Sequence, residues 1–134
     1  MKAVHFIPKD VVLTIHADLI QRYGGKPGLR DAGLLDSALA QPKMTFGGKY
    51  THKTLFDKAA AYGFHACKNH PFVDGNKRVA FVLMDIFLQQ NGWELMSREE
   101  EAYAMMMDLA SGKLLKSQLS SWLKGHSAKL PRSR

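Results

Sequence analysis

The chain has 134 residues, of which 46% are hydrophobic and 23% are charged, a length and balance that fit one globular domain. Its longest apolar runs, such as residues 79–84, have six residues, far short of the roughly 20 that a membrane-spanning helix needs. The single cysteine, Cys67, excludes an internal disulfide, and polar residues interrupt the start of the chain where a signal peptide would be apolar. We therefore expect a cytoplasmic protein with a single domain over residues 1–134.

The charge balance is strongly basic. The chain contains 19 Lys and Arg residues against 12 Asp and Glu residues, a net charge of +7. Such a charge favours an anionic partner: nucleic acid, a nucleotide, an acidic protein or an anionic membrane surface. The basic residues are scattered and form no recognition-helix pattern, so we expect no direct binding to nucleic acid. We also expect no membrane partner.

Hydrophobic periodicity predicts three helices in the first half of the chain. Apolar residues recur at three- and four-residue spacing over residues 9–23 and over residues 54–69. Between them lies a short segment with the same spacing, which Asp31 caps and Pro42 ends. The proline after His70 disfavours helical geometry at that residue. The third helix should therefore end just before His70.

The second half of the chain predicts three more helices. Residues 76–90 are apolar nearly all round, which is typical of a helix at the centre of a bundle. Ser97 and Glu100 have the spacing of a capping box, and the helix that they open should end near Gly112. The last predicted helix spans 117–124.

Two segments lack a helical period. Residues 3–7 have the pattern of an extended segment. Residues 42–52, which we call the flap, contain paired glycines among polar and aromatic residues and predict a loop or short hairpin. The predicted fold class is therefore all-α with a small β element.

Groups with chemical potential concentrate in residues 70–78, His-Pro-Phe-Val-Asp-Gly-Asn-Lys-Arg, which we call the signature loop. Its second half opens a helix directly after Gly75, and the free N–H groups of a helix N-terminus bind anions. Lys77 and Arg78 lie in the first turn, where they oppose the helix dipole unless an anion lies between them. This arrangement favours a phosphate ligand.

Two further side chains complete the predicted chemistry. Asp74 is a hard oxygen ligand, suited to a Mg²⁺ ion that bridges phosphate oxygens. Histidine titrates near neutral pH, so His70 can accept a proton from a hydroxyl nucleophile. Taken singly, these residues are also typical of a helix end, a turn or a charged surface. A base, a metal ligand, an anion site and two cations within nine residues together predict phosphoryl or nucleotidyl transfer.

The signature loop resembles the motif of the Fic/Doc family, and in particular that of its death-on-curing branch. A second block, residues 22–42, also resembles the death-on-curing toxins. With a similar order of helices, the likeness covers nearly the whole chain. The resemblance implies a compact bundle of about six helices with a small β flap. It also implies an enzyme that uses Mg²⁺ and ATP to modify a hydroxyl group of a target protein.

The resemblance also implies individual roles. His70 matches the general base and Asp74 the magnesium ligand. The residues that match the nucleotide and phosphate site are Gly75, Asn76, Lys77 and Arg78. The flap residues that would align the target segment by main-chain pairing are Lys43, Met44, Thr45, Phe46 and Gly47.

Lys77 departs from the pattern of most family members, which have glycine there and transfer AMP from ATP. A lysine fills space otherwise open to the α-phosphate, so the nucleotide can bind the other way round and present its γ-phosphate. The death-on-curing branch shares this lysine, and the implied activity is a protein kinase that phosphorylates a threonine of elongation factor Tu and arrests translation. We predict this kinase activity, with AMP transfer at the same site as the alternative.

Regulation is expected to come from a second protein. Related Fic proteins carry an inhibitory helix with Ser or Thr, three residues, Glu, and then Gly or Asn. The nearest string here, residues 97–102, ends in alanine, so we expect inhibition in trans by an acidic or amphipathic antitoxin that lies in a groove of the bundle. A second alternative is a non-catalytic basic helical binding module, which the net charge supports.

Overall fold

A computed structural model describes residues 3–131. Six helices form most of this region: α1 (Lys9–Tyr23), α2 (Ala32–Ala40), α3 (Leu55–Asn69), α4 (Asn76–Gln90), α5 (Glu99–Ala110) and α6 (Lys116–Gly125). A short 3-10 helix, Gln41–Lys43, follows α2. None of the described helices combines the length and apolarity that crossing a bilayer requires. The predicted all-α class is confirmed.

The strands form two small antiparallel sheets. In the flap, β1 (Thr45–Phe46) pairs with β2 (Lys49–Tyr50), so this segment is a hairpin, one of its two predicted forms. A second pair, β3 (Trp93–Leu95) with β4 (Ser127–Lys129), follows α4 and α6 and was not predicted. Strands of three residues are too short to show a period in the sequence.

The centre of the bundle is shared by α3 and α4. The predicted central helix, α4, packs along α3, and α3 also contacts α2, α5 and α6. The small residues of α3 are buried and allow this close packing: Ala59, Ala60, Ala61, Gly63 and Ala66. Because these side chains contribute little hydrophobicity, the sequence did not identify α3 as a second central helix.

The contact between Gly63 and Met84 gives a stability prediction. A Cβ atom on Gly63 would overlap the sulfur of Met84, which is fully buried. Overpacking typically costs about 1–3 kcal/mol, and the higher helix propensity of alanine recovers about 1 kcal/mol. We expect Gly63→Ala to lower the free energy of unfolding in urea by about 1 kcal/mol net. In a Met84→Ala background the same change should be neutral or stabilising, and an equal loss in both backgrounds would contradict the contact.

The start of α5 differs from the prediction. The N-cap is Arg98, and the N–H of Arg98 donates to the Glu101 carboxylate over 2.9 Å. The predicted pairing of Ser97 with Glu100 is therefore wrong by one residue. Glu99, Glu100 and Glu101 could each supply the carboxylate of such a cap. The observed choice of Glu101 also places its Oε2 3.7 Å from Nε2 of His126.

The segment before α1 is held by side chains and joins neither sheet. The main chain of His5 exchanges two hydrogen bonds of 2.9 Å with the side-chain amide of Asn91. The N–H of Ile7 donates to the buried hydroxyl of Tyr62 over 2.9 Å. Residues 3–7 therefore lie along the bundle without forming a strand.

Candidate active site

The signature loop begins where α3 ends. His70 takes a left-handed conformation, with φ 52° and ψ 54°, and is the only non-glycine residue among residues 3–131 with a positive φ. Such a conformation costs of order 1–3 kcal/mol and is often found at functional sites. The predicted helix end before Pro71 is confirmed. His70 is exposed at the end of α3.

Arg30 stabilises this helix end. Its Nε–H donates to the carbonyl oxygen of His70 over 2.7 Å, and Nη2 donates to that of Asn69 over 3.0 Å. A cation that bonds the last carbonyl groups of a helix also interacts favourably with the helix dipole. Arg30 therefore fixes the main chain that carries the candidate base.

A second loop, residues 24–31, lies beside the signature loop, and we call it the support loop. The carbonyl oxygen of Pro71 accepts hydrogen bonds from the N–H groups of Arg30 and Asp31, at 2.7 and 3.0 Å. The N–H of Val73 donates to the carbonyl oxygen of Gly28 over 3.0 Å. The support loop belongs to the second block that resembles the death-on-curing toxins, and its hydrogen bonds hold the signature loop, which is the first.

The support loop also orients Asp74. Its Oδ2 accepts from the N–H of Lys26 over 3.0 Å, and its Oδ1 accepts from the N–H of Gly75 over 2.9 Å. The bond from Lys26, followed by that from Gly75, holds the pKa of Asp74 below its usual range. The carboxylate is therefore ionised and available as an acceptor.

Asp74 fits the role of a Mg²⁺ ligand. Each of its oxygens accepts one hydrogen bond and keeps further lone-pair capacity for a metal. Within residues 3–131, no group of three or more His, Cys, Asp or Glu side chains could hold a metal ion by itself. Mg²⁺ usually binds one or two carboxylates, and takes its remaining ligands from water and substrate phosphates.

The inner side of the signature loop is packed against α1. His16 is buried, its ring stacks on that of Phe72 at 3.8 Å, and its Nε2–H donates to the carbonyl oxygen of Asp74 over 2.8 Å. The side chain of Asn76 exchanges two 2.9 Å hydrogen bonds with the main chain of Phe72. Asn76 therefore closes the loop with its side chain, and only its main-chain N–H is left for an anion.

The N-terminus of α4 is open to a ligand. Gly75 is the N-cap, with φ 78°, and no side chain caps the helix. The first turn contains no acidic residue, whereas Lys77 and Arg78 are both exposed there. Free N–H groups and two cations therefore converge at one end of α4.

These residues line one cavity of about 710 Å³, a size typical of small-molecule sites. The predicted site residues that line it are His70, Asp74, Gly75, Asn76, Lys77 and Arg78. The side chains that form much of its apolar wall are Phe81, Tyr103, Met106 and Met107. The structure thus brings together every predicted catalytic, metal and phosphate residue.

The flap residues lie apart from this cavity. Lys43, Met44, Thr45, Phe46 and Gly47 are exposed and are not among the residues that line it. The side chain of Phe46 is 87% exposed. A docking role for the flap therefore depends on a partner that reaches both the flap and His70.

Three supporting residues were not predicted: His16, Lys26 and Arg30. Lys26 and Arg30 belong to the second block of the resemblance, which could have identified them as part of the site. His16 had no such signal, since a histidine in an amphipathic helix is more often a packed core residue.

Gly25 gives a prediction for the orientation of Asp74. Its φ is 116°, and a Cβ atom there would lie 2.8 Å from Asp74 Oδ2. Gly24 has φ 86° but open space around it, so Gly24→Ala is a matched control for backbone strain. Both alanine variants should lose about 1–2 kcal/mol of stability.

We expect Gly25→Ala alone to weaken Mg²⁺ binding, by about tenfold, because displaced metal-supporting groups typically have effects of this size. The measurement is binding of inorganic triphosphate to each variant at increasing Mg²⁺ concentration, and the value compared is the Mg²⁺ concentration that gives half of the maximal binding. If both variants need the same Mg²⁺ concentration, backbone strain and not contact with Asp74 explains any loss of Mg²⁺ binding.

Comparisons with known proteins identify the family of this chain. Residues 6–88 match the Fic/DOC family. The chain is 45% identical over 73 residues to Toxin Doc of Mycolicibacterium smegmatis, an alignment that covers 54% of this chain and 56% of that protein. It is 29% identical over 121 residues to Protein kinase doc of Escherichia phage P1, with 90% of this chain and 93% of that protein covered. The chain thus spans only about half the length of the mycobacterial relative but nearly all of the phage protein. Since the family match includes the support loop, the signature loop and most of α4, the chain belongs to the Fic/Doc family.

Proposed function

We propose that this chain is the toxin of a toxin-antitoxin pair and acts as a Mg²⁺- and ATP-dependent protein kinase in the cytoplasm. It transfers the γ-phosphate of ATP to a threonine or serine hydroxyl of a target protein, elongation factor Tu, and so arrests translation. The observation that carries the proposal is the meeting of His70, Asp74 and the N-terminus of α4 in one cavity. Membership of a family of protein-modifying transferases supports it, as do the names of the two relatives.

In this mechanism His70 acts as the general base. Its imidazole accepts the proton of the target hydroxyl while the hydroxyl oxygen forms a bond to the γ-phosphorus. The bond from that phosphorus to the bridging oxygen breaks, and ADP leaves with the bond's electron pair. The hydrogen bonds from Arg30 keep His70 at the end of α3 during this step.

The N-terminus of α4 binds the phosphate chain. Its N–H groups and the guanidinium of Arg78 hold the phosphates, and the Asp74 carboxylate would hold Mg²⁺ beside them. When bound there, the ion would supply positive charge to the phosphate oxygens. In-line transfer needs little covalent participation by the protein, so positioning by these groups provides most of the catalysis.

Lys77 favours γ-phosphate transfer over AMP transfer. Its side chain lines the cavity at the first turn of α4. In this proposal the long cationic side chain fills space that an α-phosphate would otherwise use. A nucleotide in the opposite orientation avoids this overlap and presents its terminal phosphate.

Two partners complete the proposal. The target segment would pair with the exposed hairpin of the flap, where Phe46 offers an apolar contact. The antitoxin would be acidic or amphipathic and would inhibit in trans, since its charge would complement a net charge of +7.

The test is transfer of label from ATP into purified elongation factor Tu and into lysate proteins. Reactions use either α- or γ-labelled ATP with Mg²⁺, and His70→Ala is the control. Label from the γ position alone, absent in the variant, is the expected result. Label from the α position would establish AMP transfer, and no label from either would favour the non-catalytic binding module.

A further inference from the structure

An aromatic ring lies against the arginine of the anion site. Tyr23 is the last residue of α1, and its side chain is 62% exposed. The Cζ atom of Arg78 lies over this ring, 4.5 Å from its centroid, within the range of a cation–π interaction. The contact joins the end of α1 to the first turn of α4.

A ring is a suitable partner for an arginine that binds phosphate. A carboxylate would neutralise the guanidinium and occupy its N–H groups, whereas a ring contacts the face of the group and leaves the N–H edge free. No described acidic residue forms an ion pair with Arg78. Arg78 therefore keeps its full charge for an anion.

The ring also opposes a tendency of Arg78 to leave the site. The partial positive charge at the N-terminus of α4 and the neighbouring Lys77 both repel the guanidinium. Without a ligand, an exposed arginine in this position would extend into solvent and lose its alignment. The attraction of the Tyr23 ring counters that repulsion before the anion binds.

We propose that Tyr23 is a positioning residue of the nucleotide site, which holds Arg78 for the phosphate chain. The end of α1 and the support loop after it then orient two charged groups of the site, since the N–H of Lys26, three residues after Tyr23, orients the carboxylate of Asp74. This inference rests on the proposed use of the site for a nucleotide phosphate, and it does not depend on which group is transferred.

The test measures binding of inorganic triphosphate with Mg²⁺ to the full chain by calorimetry. Tyr23→Leu removes the ring and keeps an apolar side chain, and we expect it to weaken binding about two- to fivefold, the range for an exposed cation–π contact. Tyr23→Phe keeps the ring and should bind as the original chain does. Weakening of the same size by Tyr23→Phe would overturn the proposal.

Two further measurements separate this role from general loosening of the fold. In an Arg78→Ala background, Tyr23→Leu should cause no additional loss of affinity, because its effect passes through Arg78. In the free chain, the Nε–H resonance of Arg78 should shift in Tyr23→Leu and stay unchanged in Tyr23→Phe. A loss of the same size with and without Arg78 would overturn the proposal.

The outcome is distinguishable from that of the kinase test. If Tyr23→Leu weakens triphosphate binding, Tyr23→Phe does not, and no label is transferred, the role of Tyr23 stands and the kinase proposal is wrong. If label is transferred but Tyr23→Leu changes neither the triphosphate affinity nor the KM for nucleotide, the kinase proposal stands and the role of Tyr23 is wrong. A chain that binds no triphosphate would overturn the inference.

Discussion

His70→Asn is expected to lower the rate of label transfer by about two to four orders of magnitude, the usual contribution of a general base. Asparagine is a sharper substitution than alanine here, because it tolerates the left-handed conformation that His70 adopts. It keeps the backbone geometry and cannot take up the proton of the hydroxyl nucleophile. The loss should appear in kcat, because the phosphate chain is held by other groups.

The control for this prediction is nucleotide binding. His70 belongs to the end of α3, whereas the N–H groups and Arg78 belong to α4, so the affinity for Mg²⁺ and ATP should change less than about threefold. The thermal midpoint should also be unchanged, since the His70 side chain is exposed. A transfer rate within tenfold of the original would exclude His70 as the base.

Local signals in the sequence predicted most helix boundaries. Asp31 caps α2 through a 2.9 Å hydrogen bond from the N–H of Leu34, as its position before an apolar run indicated. Pro71 ends α3, and Gly24 follows the last residue of α1. These residues act on neighbours in the chain, so their effects can be inferred without knowledge of the fold.

The contacts that build the site could be predicted only in part. The signature loop is continuous in sequence, so its six candidate residues were found together. Apart from the side chain of Arg30, the support loop reaches it through main-chain atoms, such as those of Gly28 and Lys26. Main-chain donors and acceptors leave no side-chain pattern in the sequence. The contact of Tyr23 with Arg78 depends on how α1 crosses α4, which helical periodicity does not specify.

Lys77→Gly is expected to change which part of ATP is transferred. The Lys77 side chain lines the cavity, and under the proposed function its removal would give the α-phosphate room to bind. We expect the ratio of α- to γ-label in the product to rise about tenfold or more, which corresponds to about 1.4 kcal/mol in relative barrier height. Glycine near the start of a helix should also lower stability by at most about 1 kcal/mol.

Lys77→Met separates bulk from charge in this prediction. Methionine fills a similar volume without the ammonium group, so γ-transfer should persist if steric exclusion of the α-phosphate orients the nucleotide. If charge decides the orientation, Met and Gly should behave alike, since both lack the cation. The same α- and γ-label assay with both variants therefore distinguishes the two causes, and an unchanged product with Lys77→Gly would show that Lys77 does not orient the nucleotide at all.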